Sequence, residues 1–302
     1  MNTADWKNFK KILCVRPDNM GDLIMTSPAI RALKKAVPGR KITLLTSKAG
    51  ALIADYIPEV DEVITCNLPW EKIGADNKSD EVLALVNLLE EGDYDAAVLF
   101  NVYSQNPLPN AMLCYMAGIK RVAGYCRENP YGLITDWIPD EEPLFKIKHE
   151  VRRQLDLVAA IGVNVEEDAF SLEIDDDAEG MLWEKLTTEG VDINKPWIIL
   201  HPGVSEEKRQ YPPAEFVKAI KGITEKLNVQ VLLTGSEAEK ELAAYIQKES
   251  GEGVFSMAGK LSVEELLAAI KITPLLISNN TGPVHIAAAF KTPVLVLYAL
   301  TN

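Results

Sequence analysis

The 302 residues are 47% hydrophobic and 25% charged, with a formal net charge of −13, enough apolar material and length for about two domains. So acidic a chain argues against a nucleic-acid partner and against strong electrostatic attachment to an anionic membrane. Four cysteines (Cys14, Cys66, Cys114, Cys126) lack CxxC spacing and read as reduced core thiols of a cytosolic protein, and no stretch approaches the roughly 18 apolar residues of a membrane span.

In chain order, short apolar runs predict strands at Lys11 to Val15, Ile42 to Leu45, Glu62 to Thr65, Ala96 to Phe100 and Arg121 to Gly124. Between them the spacing predicts helices over Ile24 to Val37, Lys48 to Tyr56, Asp80 to Glu91 and Asn110 to Ala117. Such alternation gives a doubly wound parallel sheet. The polar, proline-containing stretch Asn101 to Asn110 and the stretch Cys126 to Ile147, which has no clear period, read as loops over the crevice at the strand ends. A helix from His149 to Ile161 closes this first domain, set at residues 1–165.

The acidic segment Glu166 to Glu179 leads into a second domain, 166–302. A helix over Ala178 to Glu189 precedes Asn194-Lys195-Pro196, where a new series begins. Its strands are expected at Trp197 to Leu200, Gln230 to Leu233, Val254 to Met257, Leu275 to Ser278 and Val294 to Tyr298. Its helices are expected at Pro213 to Leu227, Ala238 to Lys248, Ser262 to Lys271 and Pro283 to Phe290. The fold class is therefore α/β, with two Rossmann-like domains of doubly wound parallel sheet expected to face each other across a cleft.

The most informative turn lies between the fourth and fifth strands of the second series, at Asn279-Asn280-Thr281-Gly282. Gly282 can occupy the N-cap and Pro283 the first helical position. Free N–H groups, the Thr281 hydroxyl and the His285 imidazole would then converge on an anion at the helix start. An ordinary strand-to-helix turn explains the same spacing equally well. The first strand ends in Arg16-Pro17-Asp18-Asn19-Met20-Gly21-Asp22, which lacks the GxGxxG spacing of a dinucleotide fold, and no GxxxxGK[ST] occurs. That loop offers instead a carboxylate, Asp22, either a helix N-cap or a general base, with Asp18 able to take the capping role. The second domain opens with His201-Pro202-Gly203-Val204-Ser205 and then Lys208-Arg209, a solvated pair or a phosphate clamp. Glu237 and Glu239 follow the next strand, as first-turn glutamates or as partners of a ribose hydroxyl. The acidic runs Asp93-Tyr94-Asp95 and Asp175-Asp176-Asp177 read as solvated turns, and no metal site is expected.

RPDNMGDLIMTSPAIRALKKAVP, HPG with KRQYPPAEF, TGSEAEKE and SNNTGPVHIAAAFKTPVLVLYALTN, in that order, resemble the signatures of glycosyltransferase family 9, the lipopolysaccharide heptosyltransferases. The likeness runs from about Ile12 to Asn302. It implies a GT-B fold with the acceptor on the first domain and the nucleotide-sugar donor on the second. Carried over, the catalytic aspartate falls on Asp22 and the phosphate-binding turn on Asn280, Thr281, Gly282 and His285. The donor-contacting cation falls on Lys208 or Arg209, with His201, Ser205, Glu237 and Glu239 as further donor-side residues. Asn19, Met20 and Gly21 form the acceptor-side loop. The implied reaction is inverting and metal-independent, without a cofactor: a sugar, heptose from ADP-heptose, moves to a lipopolysaccharide core acceptor. The implied location is cytoplasmic, with at most peripheral contact at the inner membrane. Two departures stand out: the family usually carries Asp where this chain has Asn280, and its members continue past the point matching Asn302. A nucleotide-sugar-binding protein without turnover, or a nucleotide-sugar epimerase of the same architecture, fits the same fold.

Overall fold

The computed structural model describes residues 5–71, 78–204 and 206–298. The chain divides into two compact units, Met1–Ser171 and Leu172–Asn302. The sequence sets the boundary at 165; the structure carries the first unit further because Ser171 N donates to Ser27 Oγ (2.9 Å) and Arg31 donates to the Ala169 carbonyl.

In the first unit the elements run β1 (Lys11–Arg16), α1 (Met20–Ala36), β2 (Lys41–Ser47), α2 (Lys48–Ala54), β3 (Glu62–Cys66), α3 (Ser79–Glu91), β4 (Ala96–Leu99), α4 (Leu108–Met116), β5 (Val122–Cys126), β6 (Asp136–Pro139) and α5 (Glu150–Ala160). The six strands lie in the order β3-β2-β1-β4-β5-β6, all paired in parallel. Central strands of such a sheet are covered on both faces and so carry unbroken apolar runs. Ile12 to Val15 and Ala96 to Leu99 are accordingly buried throughout. α1 packs against α2 and α5, and α3 packs against α4 over a core that includes Leu13, Val15, Leu89, Leu99 and Leu113.

Two elements differ from the sequence expectation. β6 lies inside a stretch read as loop. It is four residues long, pairs with β5 alone and ends in Pro139, which an edge strand tolerates because one side needs no ladder N–H. Its first residue, Asp136, is buried and held by Arg121 through Nε (3.0 Å) and Nη2 (2.8 Å). α1 starts at Met20 rather than Ile24. It runs through Pro28, which cannot donate to the Ile24 carbonyl; Ser27 Oγ donates there instead (2.8 Å).

The second unit runs α6 (Ala178–Thr188), β7 (Trp197–His201), α7 (Pro213–Leu227), β8 (Gln230–Leu233), α8 (Lys240–Ser250), β9 (Val254–Ser256), α9 (Val263–Ile272), β10 (Leu276–Asn279), α10 (Gly282–Phe290) and β11 (Val294–Leu297). Its five parallel strands lie in the order β11-β10-β7-β8-β9. α7 packs on α8, while α9 packs on α6 and α10. Ile198, Leu200, Phe216, Ile220, Val231 and Leu233 lie in one core. Among the described residues no helix is long and apolar enough to cross a membrane.

Candidate functional site

The first sheet reverses its winding between β1 and β4, the second between β7 and β10. At such a reversal the loops leaving the two neighbouring strands part to opposite sides and open a crevice at the strands' C-terminal ends. The loop with Asp22 follows β1, the His201 loop follows β7, and the Asn280 turn follows β10. Glu237 and Glu239 follow β8, next to β7. Ser205 lies outside the described residues.

In the first unit Asn19 is the N-cap of α1, with extended backbone and no side-chain capping bond, so neither Asp18 nor Asp22 is the cap. Met20 and Gly21 form the first two helical positions, and Asp22 the third. From there its carboxylate reaches back to the Asn19 N–H, which is half of a capping box. Arg16, the last residue of β1, is fully buried. Its guanidinium stands 3.0 Å from Asp18, 3.5 Å from Asp22 and 2.9 Å from Glu150 at the start of α5. Burial pushes the Asp22 carboxyl above the ordinary carboxylate range; Arg16 opposes this, Asp18 and Glu150 add to it, and the Asn19 N–H opposes it. Asp22 keeps 27% of its side chain exposed, so an incoming hydroxyl can reach it.

The same edge holds groups that sequence reasoning missed. Glu150 Oε1 accepts from both Arg16 and Gln154 (2.6 Å), and Gln154 also donates to the Asn101 carbonyl after β4 (3.2 Å). Glu71, after β3, is pushed up to about 7 by burial and by Asp18, against the Asn110 amide and Arg16. Three atoms in this neighbourhood are buried without a hydrogen-bond partner, Arg16 Nη1, Asn101 Oδ1 and Gln154 Oε1, while Arg16 Nε and Asp18 Oδ2 face each other as an ion pair at 3.0 Å. One sequence signal was available: Arg16 is a charge closing the apolar run Ile12 to Val15, where a buried cation needs a partner. Glu150 and Glu71 had none, since both reach the edge only through tertiary packing.

In the second unit His201 ends β7, buried, with Nδ1 3.0 Å from Thr234 Oγ1. Burial lowers its pKa below the ordinary imidazole value, against the charge of Glu239, so the ring is neutral near pH 7. Glu239 turns its carboxylate back onto Ser236 N (2.6 Å) and Ser236 Oγ (2.8 Å), closing a capping box. That places it against the His201 loop: a Cβ on Gly203 would stand 1.7 Å from Glu239 Oε1. Glu237 instead pairs with Lys240 (2.7 Å).

Lys208 and Arg209 lie in a 3₁₀ turn, Glu207–Arg209. Both pair with Glu206, at 2.7 and 3.0 Å, an anion the sequence reading passed over. Arg209 Nε is buried without a hydrogen-bond partner. At the β10 turn the expectation for Gly282 needs correction. The N-cap is Thr281, whose backbone is extended (φ −151°, ψ 179°), and the helix opens with Gly282 and then Pro283. The Thr281 hydroxyl makes no capping bond, so it remains free to meet a ligand. Asn280 N donates to the Leu297 carbonyl (3.3 Å), and His285 falls at the fourth helical position, half-buried. Asn279, just before the turn, is fully buried. Its Nδ2 donates to the Pro202 carbonyl (2.8 Å) and its Oδ1 accepts from Tyr211 N (3.2 Å), which ties the loop after β7 to the turn after β10.

Away from these residues, Asp175, Asp177 and Glu264 bring carboxylate oxygens within 4.8 Å of one another. Both aspartates are exposed, as acidic groups at solvated turns are, and Glu264 is half-buried.

A family model, glycosyltransferase family 9 (heptosyltransferase), matches residues 82–302. The chain is 24% identical over 287 residues to lipopolysaccharide heptosyltransferase 3 of Escherichia coli K12, covering 93% of this chain and 80% of that protein. Among solved structures, a family 9 glycosyltransferase from Veillonella parvula aligns with a TM-score of 0.81 at 19% identity, over 97% of this chain and 81% of its own. An E. coli heptosyltransferase solved with ADP-2-deoxy-2-fluoro heptose aligns with a TM-score of 0.73 at 19% identity, over 97% of this chain and 90% of its own. The likeness in structure is one of fold: two parallel-sheet α/β units of the GT-B class.

Proposed function

Since the chain belongs to glycosyltransferase family 9 and is a glycosyltransferase, we propose that it moves a heptose from ADP-heptose to a lipopolysaccharide core acceptor by inverting, metal-independent transfer. In this reading Asp22 takes the proton from an acceptor hydroxyl as that oxygen attacks the anomeric carbon. The bond from that carbon to the diphosphate breaks on the opposite face, and ADP leaves with the electron pair. The observation that carries the reading is the place of Asp22. It sits at the β1/β4 reversal, partly open to solvent, with its proton affinity raised by burial. A carboxylate so raised is a stronger base than a free one.

The second unit supplies the leaving-group side. The first N–H groups of α10, the Thr281 hydroxyl and the buried Arg209 Nε suit the oxygens of a diphosphate. Lys208 and Arg209 exchange Glu206 for those oxygens when the donor binds. A neutral His201 then lines the seat without adding charge, Glu239 faces the ribose, and Ser205, Asn280 and His285 complete the donor contacts. Asn19, Met20 and Gly21 border the acceptor. The relatives named for lipopolysaccharide synthesis support a cytoplasmic enzyme that meets its lipid-linked acceptor at the inner face of the membrane.

Two measurements test this together. ADP should raise the melting temperature more than UDP or GDP, because a ligand that binds only the folded state stabilises it according to its affinity. Asp22→Asn should lower turnover by roughly 10²-fold or more while leaving the ADP dissociation constant unchanged. A preference for UDP or GDP would overturn the ADP-heptose donor, and near-normal turnover in Asp22→Asn would overturn the base.

A further inference from the structure

Four charged groups crowd the Asp22 edge, and only one of them is a cation. Arg16 approaches from β1, Asp18 from the loop after it, and Glu150 from the start of α5; Glu71 faces Asp18 from the loop after β3. Arg16 divides its bonds unequally. Its Nη2 is 2.9 Å from Glu150 Oε1 but 3.5 Å from Asp22 Oδ1, beyond a normal charge-assisted hydrogen bond. Glu150 is in turn fixed by Gln154 Nε2 at 2.6 Å, and Gln154 is anchored to the Asn101 carbonyl. Glu150 occupies the first turn of α5, where the helix end favours a carboxylate.

We propose that Glu150 is a positioning residue for the Asp22 base: by holding Arg16 at its own carboxylate, it keeps the guanidinium from closing on Asp22 and quenching it. The proposal rests on Asp22 acting as the base. A fully formed Arg16–Asp22 ion pair would hold the aspartate oriented but poorly basic. No Arg16 at all would leave Asp18, Asp22 and Glu150 repelling one another, with Glu71 beside them, in a half-buried crevice. The observed spacing lies between these limits: Arg16 is close enough to orient Asp22 and Glu150 close enough to compete for Arg16. Burial, Asp18 and Glu150 all push Asp22 up and Arg16 pulls it down, as this arrangement requires.

The two neighbours should therefore shift Asp22 in opposite directions. Glu150→Gln removes a repelling charge and releases Arg16, so the Asp22 titration moves to lower pH. Arg16→Gln removes the attracting charge, so it moves to higher pH. Each shift is on the order of one pH unit. Carboxyl ¹³C chemical shifts of Asp22, assigned by comparison with Asp22→Asn, read these midpoints in the full chain without any acceptor. The acid limb of kcat/KM, measured with ADP-heptose and a deacylated lipopolysaccharide inner-core acceptor, should follow the same midpoints. Glu150→Asp, which keeps the charge, should restore part of the shift.

A merely structural Glu150 would lower thermal stability and leave the Asp22 midpoint in place, and that result overturns the proposal. An upward shift in Glu150→Gln overturns it as well. If Arg16→Gln fails to fold, Glu150→Gln and Glu150→Asp still decide. If the midpoints shift as expected but Asp22→Asn keeps its transfer rate, the base assignment fails instead, and the two failures are told apart.

Discussion

Replacing Gly203 by alanine tests the donor-side geometry through a single atom. The backbone there is not left-handed, so the cost is steric: the new Cβ would stand 1.7 Å from Glu239 Oε1 and 2.3 Å from its Cδ. No such contact survives, so the glutamate must swing out and abandon Ser236 N and Oγ. Losing a capping box costs about 0.5–2 kcal/mol, and hydrogen bonds to a charged group are worth about 1.5–3 kcal/mol. These are two descriptions of the same bonds, and the freed carboxylate regains water, so about 1–2 kcal/mol is the expected loss. For a body the size of the second unit, Leu172–Asn302, this lowers Tm by about 5 °C. Calorimetry of the full chain reads the shift, and titration with ADP should show weaker binding as Glu239 leaves its place. The decisive control is a double-mutant cycle with Glu239→Ala. That variant alone loses the same bonds, and in its background Gly203→Ala meets no carboxylate, so the two penalties must be strongly sub-additive. Additive penalties, or a Gly203→Ala protein with the parental Tm, would refute the argument.

Asn279→Ala should destabilise the second unit by about 2–4 kcal/mol, because it strands the Pro202 carbonyl and the Tyr211 N–H. Asn279→Asp should be no milder, since its second oxygen would face that carbonyl, and urea unfolding followed by Trp183 and Trp197 fluorescence measures both. Glu71 gives a pH signature. A carboxyl raised to about 7 from 4.5 makes the folded state bind more protons than the unfolded one across that window, so stability falls as pH rises through it. Glu71→Gln should therefore match the parent near pH 4 and exceed it near pH 8 in urea titrations, and a gain near pH 4 alone would contradict the assignment.

The layered pattern was legible because central parallel strands must be apolar end to end while their helices are amphipathic; β1, β4, β7 and β8 were found within a residue of their ends. β6 was not, because an edge strand of four residues with only its first position buried has no period to detect. At the candidate sites, the aspartate, the helix start and the cation pair were readable from local chemistry. Their settings were not. Glu150 lies 134 positions from Arg16, and Asn279 meets Pro202 across 77. No local pattern encodes such pairings. Glu206 was readable in principle, two and three residues before the cations it neutralises.

The reversals in the two sheets are alike in topology and differ in charge. At β1/β4 three carboxylates surround one guanidinium; at β7/β10 a neutral imidazole stands near the positive end of a helix. On the proposed reading, a diphosphate would be repelled at the first crevice, while at the second it would meet Lys208, Arg209 and the start of α10 beside the carboxylates of Glu206 and Glu239. On that reading, misplacement of the donor would be penalised by charge before any shape is compared. Erasing acidic groups at the first crevice should consequently do more than slow a proton transfer: it should let nucleotides enter as competitors of the acceptor, an inhibition pattern absent from the parent protein.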